Sequence, residues 1–66
     1  MELFVNGEPK ALPAGASVAA LLESLGLATS PCAVEVNREL IPKRRHEEAP
    51  LQPGDRVEIV TLVGGG

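Results

Sequence analysis

Three consecutive glycines, Gly64-Gly65-Gly66, end the sequence directly after the apolar, β-branched run at residues 57–63. Such a run is typical of a β-strand, so we expect the α-carboxylate of Gly66 at the end of a slim arm leaving a sheet. Because glycine lacks Cβ, such an arm can pass through a narrow channel, and its terminal carbonyl is open to attack. We therefore expect the chemistry of this chain at the main-chain carboxylate of Gly66. A frayed terminus or a cloning remnant is the bland alternative.

Side chains offer no competing site. The sequence contains no GxGxxG loop, no Walker loop and no paired acid/base groups, so we expect no intrinsic active site, metal or cofactor. His46 has neither a nucleophile partner nor metal-ligand spacing, and we interpret it as a solvated loop residue. The basic residues 43–45 before it are read as solvated too, or as steering docking onto an acidic partner.

Composition narrows the class of protein. A chain of 66 residues is one domain, and its single cysteine excludes an internal disulfide and favours the cytoplasm. The sequence has no apolar run long enough to cross a membrane, and the N-terminus does not resemble a signal peptide. A net charge of −3 and a single Phe, without Trp or Tyr, argue against nucleic-acid binding.

The first half of the chain reads as a hairpin followed by a helix. Residues 2–5 and 9–12 are predicted strands, and Asn6-Gly7 between them is the strongest short hairpin signal, because both turn positions need φ > 0. Pro9 indicates that the second strand is an edge strand. Ser17 is a suitable N-cap, and Gly26 suits the left-handed position after the helix. The predicted apolar stripe consists of Val18, Leu21, Leu22 and Leu25.

The second half reads as three strands, at residues 32–36, 40–41 and 56–63, with a charged excursion at 43–48. One helix and a mixed sheet make a two-layer α+β domain. This order looks like the ubiquitin-like β-grasp fold, with the first and last strands parallel and adjacent at its centre. We assign residues 1–63 to this domain and 64–66 to a flexible tail.

Strand alternation predicts which side chains face a partner. Charged Glu58 marks the outer face of the last strand, so Val57 and Ile59 are expected in the core. Cys32 shares the inward parity of its strand, and we read it as a small core residue; a sulfur relay is the alternative. The chain's only Phe falls on the outer face. We predict one exposed apolar patch for partner docking, formed by Phe4, Val60 and Leu62; scattered surface apolar residues are the alternative.

Four segments resemble the ThiS family, the sulfur carriers of thiamine biosynthesis. They are residues 4–8 (FVNGE), 17–22 (SVAALL), 36–42 (VNRELIP) and 53–66 (PGDRVEIVTLVGGG). The most specific part is the Gly-Asp-x-Val-Glu-Ile strand that runs into the terminal glycines. The resemblance covers nearly the whole chain.

The resemblance implies a carrier and not an enzyme. A ThiF-like adenylyltransferase would use ATP and Mg²⁺ to convert the Gly66 carboxylate to an acyl adenylate. Sulfur from a cysteine desulfurase or another persulfide donor would displace AMP and leave a thiocarboxylate, which thiazole synthase would consume. Gly65 would be the other half of the Gly-Gly tail, and Gly64 an extra glycine that some members carry.

Other functions remain open from the residues. The chain could carry sulfur for molybdopterin, tRNA or cysteine thiolation, although molybdopterin-type tails usually belong to longer chains and have a proline before Gly-Gly. It could be a ubiquitin-like modifier whose Gly66 forms isopeptide bonds with lysines. It could also be a plain binding module with an inert tail.

Overall fold

Five strands, one α-helix and one 3₁₀ helix make up the fold in a computed structural model, which describes residues 1–62. The predicted tail, residues 64–66, and the predicted domain boundary at Val63 lie outside the described residues. The elements are β1 (Glu2–Val5), β2 (Glu8–Ala11), α1 (Val18–Ser24), β3 (Cys32–Val36), β4 (Glu39–Ile41), the 3₁₀ helix (Lys43–Glu48) and β5 (Arg56–Thr61).

The strands form a mixed sheet in the order β2-β1-β5-β3-β4. β1 and β5 are parallel, whereas the other neighbours are antiparallel. The predicted α+β, β-grasp arrangement with the first and last strands adjacent at the centre is therefore confirmed. Pro9 does lie on an edge strand, as predicted, because β2 ends the sheet and an edge position tolerates the missing N–H.

Both hairpins turn through two residues with positive φ, as type I′ turns require. In the β1–β2 turn φ is 52° at Asn6 and 85° at Gly7. In the β3–β4 turn φ is 51° at Asn37 and 70° at Arg38. The first turn was predicted from its Asn-Gly pair, but the second was not recognised as a two-residue turn. Arg38 pays a steric penalty there, roughly 1–2 kcal/mol for a side chain with a Cβ, that glycine would avoid.

Helix α1 is closed at both ends by hydrogen bonds that its sequence predicts. The Ala20 N–H donates to Ser17 Oγ at 3.1 Å, which makes Ser17 the N-cap. At the other end Gly26 adopts a φ of 74°, and the Leu27 N–H donates to the Leu22 carbonyl at 2.8 Å. This is the Schellman closure, and Leu27 packs against the core beyond it. Leu25, predicted for the apolar stripe, is instead exposed at the C-cap.

The core lies between α1 and one face of the sheet. Its members are aliphatic throughout: Leu3, Leu12, Val18, Leu21, Leu22, Val34, Leu51, Val57 and Ile59. Every sheet strand except the two edge strands contributes a residue, and α1 contributes three. Burial of these side chains supplies the main favourable free energy of folding, since a chain this short has little other area to bury.

His46 is buried, so its interpretation as a solvated loop residue is wrong. Its side chain is 7% exposed, and Nε2 donates a hydrogen bond to the Ile41 carbonyl at 2.9 Å. The charged segment around it forms the 3₁₀ helix, which packs near α1 and turns His46 inward while its basic neighbours Lys43, Arg44 and Arg45 stay exposed. The sequence pattern failed here because a 3₁₀ helix of six residues is too short to show an apolar periodicity, and its one buried residue is a histidine.

The Asn6 side chain extends the pairing between β1 and β5. The Phe4 and Asn6 N–H groups donate to the carbonyls of Asp55 and Val57 at 2.9 and 2.8 Å. Where β1 then turns away, Asn6 Oδ1 accepts from the Ile59 N–H at 2.9 Å and Nδ2 donates to the Ile59 carbonyl at 3.2 Å. The side-chain amide thus replaces the next peptide group of a strand.

Replacing Asn6 by glycine should lower the free energy of unfolding by about 1–3 kcal/mol, because two partly buried backbone groups of Ile59 lose their partners. Glycine keeps the positive φ of the turn and adds conformational entropy to the unfolded chain, a cost that the control variant shares. Asn37→Gly is the matched control at the same position of the other turn, where the hydrogen bonds are exposed. Urea unfolding of both variants measures the difference. Equal losses would contradict a special role for Asn6.

Candidate functional site

The segment that carries the predicted tail leaves the domain from the centre of the sheet. β5 lies between β1 and β3, and the Leu62 N–H donates to the Pro31 carbonyl at 2.9 Å just beyond the last strand residue. The tail residues Gly64, Gly65 and Gly66 lie outside the described residues, so their predicted role stays a prediction. The structure therefore shows the path by which the chain leaves the sheet, up to Leu62.

Side chains alternate between the two faces of β5 as predicted. Val57 and Ile59 are 1% and 8% exposed, and both belong to the core. Val60 and Leu62 are 61% and 55% exposed on the opposite face, which we call the outer face. The register predicted from Glu58 is confirmed. Val60 and Leu62, the outer apolar pair, are thus large apolar side chains held beside the point where the chain leaves the sheet.

Phe4 does not join this pair, so the prediction of one continuous patch is wrong. The parallel register places Phe4 beside Arg56, at the start of β5, and Pro9 lies on its other side. Val60 is four residues further along β5, a distance of about 13 Å at 3.3 Å per residue. Phe4 is half-buried, and the Arg56 guanidinium lies over its ring, 5.6 Å from the centroid. This is a cation–π arrangement.

Two glutamates separate the apolar parts of the outer face. Glu35 of β3 lies directly opposite Glu58 of β5, and both side chains are exposed. Like charges in this position repel each other. Leu40 of β4 lies opposite Glu35 and is also exposed. The sequence did not predict Leu40 as a surface residue. A two-residue turn pairs it with Glu35, and this pairing places its side chain on the outer face.

Cys32 lies on the inner face of the sheet, as predicted. It is half-buried, packs against the core and lies opposite Thr61 of β5. Its thiol is free. The packing agrees with a small core residue, and no second reactive group accompanies it in the register.

The described part of the chain holds no group of three or more His, Cys, Asp or Glu side chains that could bind a metal ion. Across residues 1–62, no helix has the length and apolar character needed to cross a membrane. The candidate site is the outer apolar pair, because Val60 and Leu62 are large apolar side chains exposed to solvent beside the point where the chain leaves the sheet.

Comparisons with known proteins agree with this geometry. The model of the ThiS family matches residues 3–66. The chain is 36% identical over 64 residues to the sulfur carrier protein ThiS of Thermus thermophilus, with coverage of 97% of this chain and 98% of that protein. The crystal structure of a thiamine biosynthesis protein, ThiS, from Geobacter metallireducens superposes with a TM-score of 0.83 at 32% identity, and the match covers 100% of both chains.

Longer relatives also contain a matching segment. The thiazole synthase of Paramagnetospirillum magneticum is 41% identical over 66 residues, which is 100% of this chain but 20% of that protein. The thiazole synthase of Magnetococcus marinus matches at 36% identity, again over 20% of its length. The chain thus spans about a fifth of the length of these two curated relatives.

Ile59→Glu should unfold the domain, whereas Leu62→Glu should leave its stability nearly unchanged, although the two positions lie three residues apart on one segment. Glutamate at Ile59 buries an unpaired charge, which costs several kcal/mol against a total stability of roughly 5–15 kcal/mol, so we expect an unfolded domain. Glutamate at Leu62 stays in water and should leave the cooperative transition near wild type. Thermal melts followed by circular dichroism test this. Exchanged behaviour of the two variants would mean that the faces are assigned the wrong way round.

Proposed function

Because the chain belongs to the ThiS family, we propose that it is a sulfur carrier protein of thiamine biosynthesis whose C-terminal glycine, Gly66, becomes a thiocarboxylate. The observation that carries the proposal is that the family model matches residues 3–66, a range that includes both the domain and the tail glycines. Domain and tail are matched together, as a carrier requires. The chain would then be a substrate of other enzymes, which would supply the catalytic groups.

The chemistry follows from the low reactivity of a carboxylate. Its resonance makes the carbonyl carbon a poor electrophile, so an adenylyltransferase of the ThiF type would join the Gly66 carboxylate to AMP from ATP and release pyrophosphate, with Mg²⁺ bound to the phosphates. The terminal sulfur of a persulfide, supplied by a cysteine desulfurase or another donor, then attacks the acyl carbon and expels AMP. This attack leaves an acyl disulfide with the donor cysteine. A second thiolate then attacks the sulfur of that cysteine, forms a new disulfide with it and releases the thiocarboxylate, whose anionic sulfur is a nucleophile.

Thiazole synthase is the proposed recipient of the sulfur. Two relatives that are named thiazole synthase include, as a fifth of their length, a segment that matches the whole of this chain. Joining a carrier to its acceptor in one polypeptide raises their effective concentration, which is useful when the two act in sequence. This supports thiamine as the receiving pathway over molybdopterin or tRNA thiolation. The ATP-dependent activation and the reduced thiols place the proposed function in the cytoplasm.

In this proposal the chain itself provides an unhindered C-terminal carbonyl and a surface that its partner enzymes can bind. Glycines at positions 64–66 leave the reacting carbonyl without neighbouring side chains. The outer apolar pair offers both partners an exposed apolar surface beside the chain exit, and burial of these two side chains would hold the domain while the tail reacts. Phe4 remains in the proposed docking surface, but as a separate contact about 13 Å along the sheet.

Gly66 should gain sulfur when the protein is incubated with a ThiF-like adenylyltransferase, MgATP, a cysteine desulfurase and cysteine. Intact-mass spectrometry should show one oxygen replaced by sulfur, because thiocarboxylate formation exchanges those atoms. Deletion of Gly65 and Gly66 should abolish the gain. Cys32→Ala should load as wild type does, since its thiol packs against the core.

An unchanged mass, with the same enzymes shown to load another carrier, would refute the proposed function. Loading that requires Cys32, in a variant of wild-type stability, would instead make that thiol part of the transfer. High-mass adducts on denaturing gels in place of a thiocarboxylate would indicate a protein modifier.

Leu62→Glu should weaken binding to the adenylyltransferase and to thiazole synthase by about tenfold or more, because it places a charge in an interface that buries apolar area. Leu25→Glu is the matched control, since Leu25 is an exposed leucine at the end of α1, away from the outer face. Calorimetric titration of both variants measures the effect. Similar losses at the two positions would show that the outer apolar pair is not the docking surface.

A further inference from the structure

A second groove opens on the outer face at the start of β5, far from the chain exit. It has a volume of about 620 Å³ and lies between the two type I′ turns, with Phe4, Arg38 and Arg56 among its lining residues. From Arg56 to Leu62 the strand runs six residues, or about 20 Å. A partner that holds the tail therefore meets this groove only with a different part of its own surface.

Arg38 occupies a turn position that its side chain does not favour. Its φ of 70° lies in the left-handed region, where glycine or asparagine is the usual choice for the second residue of a type I′ turn. The equivalent position in the other turn is Gly7. Glycine would therefore be the more favourable residue at position 38 if the turn only had to reverse the chain. Strain of this kind clusters at functional sites, and here it places a guanidinium at the rim of the groove.

Arg56 supplies a second guanidinium that is already oriented. It lies over the Phe4 ring, 5.6 Å from the centroid, and its backbone N–H donates to Asn37 Oδ1 at 3.0 Å, which ties β5 to the turn that contains Arg38. Guanidinium groups bind carboxylates through two parallel hydrogen bonds. Because Arg56 is held by the ring, less side-chain freedom is lost on binding. Glu58 also lines the groove, on the side toward Val60, and would repel a carboxylate placed there.

We propose that this groove is a second docking site, which takes a carboxylate-bearing segment of the activating adenylyltransferase. The proposal rests on the function proposed above. The chain as a whole is negatively charged, with a net charge of −3, but two arginines line this one groove. Their positive charge favours an acidic partner surface there. We choose the activating enzyme as the partner because it must recognise the free carrier before any bond joins the two proteins. In two relatives the matching segment is part of the thiazole synthase chain itself, so there the covalent link already keeps carrier and synthase together.

Two contacts about 20 Å apart would solve a problem that a glycine arm creates. A domain tethered through glycines can rotate freely about its tail. The outer apolar pair and the groove together define a line along β5, and a partner that binds both fixes the orientation of the domain. The reacting carbonyl would then be presented from one direction.

Arg38→Gly tests the proposal, because it should change stability and binding in opposite directions. The melting temperature should rise by a few degrees as the strained turn is relieved. Affinity for the adenylyltransferase should fall about tenfold at low salt and less at high salt, because charge attraction is screened. Arg56→Gln should weaken binding similarly. Arg44→Gln is the control, since it removes one positive charge from the exposed face of the 3₁₀ helix.

The titrations use the full chain with its tail, at two salt concentrations, against the adenylyltransferase and against thiazole synthase. Weaker binding of the Arg38 and Arg56 variants to the adenylyltransferase, with Arg44→Gln like wild type, supports the proposal. Unchanged binding of Arg38→Gly, or equal losses for all three variants, overturns it. A loss seen with thiazole synthase alone overturns the choice of partner. Failure of the wild-type chain to bind either enzyme would instead refute the proposed function.

Discussion

The parallel pairing of β1 with β5 is the constraint on which the rest of the structure depends. It joins strands that lie about fifty residues apart in the sequence, so forming the pair closes a long loop and costs conformational entropy that the packed core must offset. Backbone hydrogen bonds, among them those from the Phe4 and Asn6 N–H groups, and the side-chain amide of Asn6 hold the pair together. Only with β1 in place does β5 become a central strand, whose inner residues are covered by α1 and whose outer residues are presented on a rigid surface.

Because side chains alternate between the two faces of β5, one strand contributes both to the core and to the outer surface. Its inward residues, Val57 and Ile59, contribute to the core, while its outward residues form a row with distinct chemistry along its length. Arg56 and Phe4 stand at the beginning of that row, the glutamate pair follows, and the outer apolar pair ends it. Phe4 and Glu35 are fixed to β5 by strand pairing, and the other members of the row lie on the β5 segment itself. The spacing between the contacts therefore cannot change without a change in the sheet.

Local rules predicted much of this arrangement, and non-local register accounts for what they missed. The Asn6-Gly7 turn, the Ser17 cap and the two faces of β5 follow from dihedral preferences and alternation, which need no knowledge of distant residues. The separation of Phe4 from Val60 depends instead on which residue of β5 pairs with β1, and no pattern within either strand specifies it. His46 was missed for a related reason, since its burial depends on α1 and on the Ile41 carbonyl. Arg38 was missed because the predicted strands left three residues between them, whereas β4 begins at Glu39, and because its residue type argued against a position with positive φ.

The central position of β5 also decides how the domain responds to a mechanical force. A partner that grips the chain beyond Leu62 and draws it into a channel pulls along the axis of β5. Inter-strand hydrogen bonds lie across that axis, so the bonds to β1 and β3 would be sheared together rather than opened one after another, as they would be at an edge strand. A strand held in this way resists extraction. Under the proposed function, the domain would therefore stay folded while a partner holds the chain beyond β5.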